Sequence, residues 1–101
     1  MEYNKLVRDK IPEIIEGGGE KANIRLLSDG EYIAELERKL DEEVAEYHES
    51  GELCELADIL EVVYALCEAR GSSRDELLAA YGAKHAARGG FSKKIFLISK
   101  E

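Results

Sequence analysis

A chain of 101 residues, 45% of them apolar, can enclose one hydrophobic core but not two, and residues 1–101 are expected to form a single domain. A net charge of −8 disfavours nucleic-acid binding, which needs a broad basic surface. Charges at Glu2, Lys5, Arg8, Asp9 and Lys10 interrupt any apolar leader, and no run approaches the ~20 apolar residues of a membrane span, so a cytoplasmic protein without a membrane partner is expected.

In chain order, the first 25 residues balance five acidic against five basic side chains, with Lys5, Arg8 and Lys10 grouped around Asp9. Pro12 suits the first turn of a helix, where its missing N–H is not needed, and predicts a short helix through Ile14 and Ile15. Residues 22–27 and 94–98 are short runs rich in Ile, Leu and Phe, expected to pair as two strands joining the chain ends. Ser28 with Glu31, and Ser73 with Glu76, have the spacing of a capping box at a helix start.

Over 31–49, Ile33, Leu36, Leu40, Val44 and Tyr47 recur on one helical stripe, the pattern of an amphipathic helix. The helix expected over 52–70, stopped by Gly71, differs. Leu53, Leu56, Leu60, Val63 and Cys67 form one stripe, and Ile59, Val62 and Leu66 form another roughly opposite. So few helices can hardly cover both sides, and a second copy is the expected cover, in a homodimer or a dimer of dimers. The short N-terminal helix and the C-terminal pair are the alternative cover. Cys54 and Cys67 lack CxxC spacing and read as free core thiols. The fold class is expected to be all-α, a helical bundle with that small β pair.

Charge is distributed unevenly: residues 26–83 carry sixteen acidic side chains against four basic ones, and residues 84–101 carry five basic against one acidic. At about 100° per residue, Glu42 points away from the apolar stripe toward solvent, Glu43 lies at its edge, and Glu46 follows one turn later. Glu55 falls within the Ile59, Val62 and Leu66 stripe, Asp58 flanks it, and Glu61 lies toward the exposed edge. An antiparallel hairpin through Ser50 and Gly51 would bring Glu43, Glu46, Glu55 and Asp58 toward one cavity.

Carboxylates crowded away from water cost several kcal/mol each unless protons or a cation compensate them. Oxygen donors select Mg²⁺ or Mn²⁺ and argue against zinc. A di-iron site would want Glu-x-x-His, which His48 misses by one position. The same acids also read as a solvated face knitted by pairs such as Lys39 with Glu43, and the residues alone leave both readings open. The solvated reading is weakest at Glu55, which has no basic residue three or four positions away.

YNKLVRDKIP at 3–12, KLDEEVAE at 39–46, ELADILEV at 55–62 and KHAARGGF at 84–91 together resemble the MazG and phosphoribosyl-ATP pyrophosphohydrolase superfamily, across almost the whole chain. That family is marked by EExxE followed by ExxD, which falls here on Glu42, Glu43, Glu46, Glu55 and Asp58; only eight residues separate Glu46 from Glu55, fewer than in many members. The resemblance implies an all-α NTP pyrophosphohydrolase fold, with Mg²⁺ held by Glu43, Glu46, Glu55 and Asp58 as the catalytic acids. It also implies cleavage of a nucleoside triphosphate between its α- and β-phosphates, giving a monophosphate and pyrophosphate.

Lys84 and Arg88, one turn apart before Gly89-Gly90, are candidate phosphate ligands, joined by Lys5, Arg8 and Lys10. Three functions fit: clearance of noncanonical or surplus (d)NTPs, phosphoribosyl-ATP pyrophosphohydrolysis in histidine biosynthesis, or a non-catalytic helical adaptor that binds nucleotide. Clearance is the favoured expectation. Tyr3, Tyr32, Tyr47, Tyr64, Tyr81, Phe91 and Phe96 include candidates for stacking on a base, with none singled out.

Overall fold

The computed structural model describes residues 2–101 and is all-helical. α1 spans Ile11–Gly17, α2 Asp29–Ser50, α3 Leu53–Ala69 and α4 Arg74–Arg88. Pro12 lies in the first turn of α1, as its missing N–H allows. Both capping boxes form. Ser28 Oγ accepts from the Glu31 N–H at 3.3 Å and Glu31 Oε1 accepts from the Ser28 N–H at 3.1 Å, while Ser73 and Glu76 reciprocate at 3.1 and 2.9 Å.

At the end of α3, the Gly71 N–H reaches the Glu68 carbonyl and the Ser72 N–H reaches that of Cys67, each at 3.0 Å. This Schellman pattern uses the positive φ of Gly71, +93°. Gly51, at φ +67°, turns the chain so that α3 runs back along α2. Arg70 Nη2 to Glu37 Oε1, at 2.9 Å, ties the far end of that hairpin. α4 packs more sparsely on α3, with the Arg74 guanidinium 3.9 Å from the centroid of the Tyr64 ring.

Leu36 and Val62, on the facing sides of α2 and α3, are the buried apolar core among the described residues. Ile59 and Leu66 flank Val62 and are half-buried. The N-terminal part of the other stripe of α3 is left open, with Leu53 81% exposed, Leu56 44% and Leu60 48%, while Val63 and Cys67 are half-buried. Phe91, Ile95, Phe96, Leu97 and Ile98 lie exposed on an extended C-terminal tail.

Three expectations are corrected. No strand occurs among the described residues, and the runs at 22–27 and 94–98 are unpaired coil. A two-stranded ribbon without an apolar cover is marginal at best, and Ile24, Leu26 and Ile95 are exposed rather than packed. Cys54 is exposed instead of a core thiol, because it lies in the first turn of α3 off both apolar stripes, whereas Cys67 is half-buried and donates to the Ser73 carbonyl at 3.3 Å. Glu42 is not fully solvated: Lys5 and Lys39 draw it in, at 3.0 and 3.2 Å.

Candidate metal centre

The α2–α3 hairpin brings three carboxylates together. Glu43 on α2 and Glu55 and Asp58 on α3 each offer one oxygen, and these oxygens lie within 4.8 Å of one another. In an octahedral Mg²⁺ site, with bonds of about 2.1 Å, adjacent ligand oxygens lie about 3.0 Å apart and opposed ones about 4.2 Å, so the trio would draw together around the ion. Glu43 is 6% exposed, and its Oε2 has no hydrogen-bond partner among the described residues. Its Oε1 lies 3.5 Å from Lys39 Nζ. A buried carboxylate with an oxygen lacking a hydrogen-bond partner, beside two further carboxylates, is a donor set that fits a hard divalent cation.

The electrostatics agree with the geometry. Burial pushes the Glu43 carboxyl above its ordinary range, and the charges of Glu46 and Asp58 push it the same way against the pull of Lys39. Glu46 is half-buried one turn along α2 and stands outside the converging trio, although its charge acts on Glu43. Hydrogen bonding to Lys5, with Lys39 adding to it, holds Glu42 below the usual carboxylate range, and the same contact raises Lys5.

The N-terminal segment before α1 lies across this cluster. Arg8 Nη2 donates to Asp58 Oδ1 at 2.7 Å, and Arg8 Nη1 approaches Glu61 Oε1 at 3.5 Å. Beneath Arg8 is a cavity of about 370 Å³, with Glu43 and Asp58 at its polar side and Tyr32, Leu36, Val62 and Ala65 at its apolar side. Lys10 borders this cavity, and Lys5 borders a neighbouring one of about 400 Å³ that shares Arg8, Lys39, Glu43 and Asp58. Lys84 and Arg88 are exposed on α4 and border neither cavity, so within one chain they are not brought to the acidic trio.

Two cavity residues escaped sequence reasoning. Lys39 looked like a surface partner of Glu43, yet its side chain is only 18% exposed between Glu42 and Glu43. Tyr32 was one aromatic among seven. The signal was present: positions 32, 36, 39 and 43 follow i, i+4, i+7 and i+11, one face of α2.

No family model and no solved structure matches the chain. It is similar to an uncharacterized protein of Mycolicibacterium smegmatis (strain ATCC 700084 / mc(2)155), 62% identical over 42 residues. That stretch is 42% of this chain and 43% of the relative, so the chain spans less than half the length of the protein it matches.

Proposed function

We propose that the protein is a Mg²⁺-dependent nucleoside triphosphate pyrophosphohydrolase, giving a nucleoside monophosphate and pyrophosphate, and that it clears noncanonical or surplus nucleotides in the cytoplasm. One observation carries this reading: the buried Glu43, with its unpartnered oxygen, converges on Glu55 and Asp58. The order of the acidic motifs, and the resemblance they bear to MazG-type enzymes, support the reaction class.

Glu43, Glu55 and Asp58 would hold the ion, with Glu46 one turn away to complete the set. A bound Mg²⁺ supplies charge to offset that developing on the phosphates and lowers the pKa of an attacking water. Lys39, fixed beside Glu42 and Glu43, keeps a positive charge at the cavity wall. Arg8 and Lys10 border the same cavity and would meet phosphate oxygens there, and Tyr32, Leu36 and Val62, which also line it, would meet the nucleoside. Lys84 and Arg88 would join the clamp through a neighbouring copy in a homodimer or dimer of dimers, packed over the open stripe of α3.

Pyrophosphate release from a panel of canonical, deoxy and modified triphosphates plus phosphoribosyl-ATP, with Mg²⁺ and with EDTA, tests the reading in wild type and Glu55→Gln. Metal-dependent release that the substitution abolishes is expected. Preference for phosphoribosyl-ATP would move the assignment to histidine biosynthesis. Absence of release from every substrate would overturn the enzymatic reading in favour of an adaptor.

A further inference from the structure

We propose that the segment preceding α1 is a counter-ion latch: Arg8 neutralises Asp58 while the acidic trio is free of metal, and leaves it when a divalent cation arrives. The inference rests on the metal-centre reading above. Two independent observations meet here. Glu43 presents a buried oxygen with no hydrogen-bond partner, and the neighbouring Asp58 has one oxygen committed to Arg8 at 2.7 Å.

A guanidinium at that distance partly supplies the positive charge that clustered carboxylates demand. A divalent cation shared by Glu43, Glu55 and Asp58 would stand beside the guanidinium, and like charges a few ångströms apart repel. An Asp58 Oδ1 taken by the cation is lost to Arg8, and the more exposed partner yields. Lys39 is enclosed between Glu42 and Glu43 on its own helix, whereas the Arg8 side chain is 53% exposed.

The segment is built to release. Among the described residues, no backbone hydrogen bond ties residues 2–10 to α2, α3 or α4. Leu6 is half-buried, and the other described residues before α1 are exposed. The long-range polar ties of this segment are therefore the ion pairs of Lys5 with Glu42 and of Arg8 with Asp58 and Glu61. Arg8 released at the cavity mouth faces the site of the proposed polyphosphate. It thus changes partner, from carboxylate to phosphate, as the site fills.

Mn²⁺ binding measured by titration calorimetry without nucleotide, on wild type, Arg8→Gln and Arg8→Lys, tests the latch. Arg8→Gln should bind Mn²⁺ on the order of threefold more tightly, the scale of one exposed ion pair removed. Arg8→Lys should stay near wild type. With an α,β-methylene triphosphate present, the advantage of Arg8→Gln should reverse. Wild-type Mn²⁺ binding that Arg8→Gln leaves equal or weaker would overturn the latch and leave the metal centre standing. Failure of both folded proteins to bind Mn²⁺ would overturn the metal centre and the latch with it.

Discussion

Glu43 sits where folding and chemistry pull in opposite directions. Its carboxyl is raised by burial, so it is protonated more readily in the folded chain than in the unfolded one. The sign follows: its contribution to stability is present below the unfolded pKa and is lost as pH rises through the higher folded value. Glu43→Gln should therefore raise the melting temperature of the metal-free protein at neutral pH, because the amide keeps the side chain's size and removes its buried charge. The same variant should lose any stabilisation by Mg²⁺, which thermal melts with and without the ion would read.

Glu31 behaves oppositely. Hydrogen bonds from Arg25 and from Ser28 hold its carboxyl down at about 2, from an ordinary 4.5. Its stabilising effect is present above the unfolded pKa and disappears as pH falls from 4.5 toward 2. Glu31→Gln should flatten the pH dependence of unfolding in that window.

At the scale of elements, the helices are bounded by local signals. α2 was expected over 31–49 and spans Asp29–Ser50; α3 was expected over 52–70 and spans Leu53–Ala69. Caps act over three or four residues, so they are legible without the rest of the chain. Two glycines should respond with opposite signs. A Cβ at either Gly51 or Gly82 meets nothing within 4 Å, so backbone conformation decides. Gly51 holds φ +67° at the hairpin turn, and Gly51→Ala should destabilise by about 1–2 kcal/mol. Gly82 lies within α4, and Gly82→Ala should stabilise by about 0.5–1 kcal/mol. Urea unfolding of both variants checks the pair.

For the whole molecule, surface area is the informative quantity. The chain exposes 8963 Å², whereas a compact monomer of its mass exposes roughly 5,700 Å². Its radius of gyration is 17.8 Å, against about 13 Å for a compact domain of this length. The excess is about 3,000 Å², and large apolar side chains stand exposed along α3, on α4, on the tail and at Tyr3, Ile14, Ile24 and Leu26. An obligate homodimer buries roughly 2,000–5,000 Å² over both partners, which this excess can supply. Leu60→Asp should shift sedimentation equilibrium of the proposed dimer toward monomer and lower the melting temperature. In wild type the melting temperature should rise with protein concentration. A wild type that sediments as monomer at all concentrations would remove the second copy.

By itself the sequence determined the all-helical class, the capped starts of α2 and α4, the stop of α3 at Gly71, and the apolar stripes of α3, because each depends on neighbours within a turn or two. It also singled out Glu55, an acid among aliphatic neighbours. Other features were decided only by tertiary structure: the burial of Glu43, the enclosure of Lys39, the drawing-in of Glu42 by Lys5, and the closure of Arg8 onto Asp58, fifty positions away. The unpaired runs at 22–27 and 94–98 belong with these. Strand pairing and ion pairing both join distant parts of the chain, and a periodicity read along the chain carries no record of which distant groups the fold brings together.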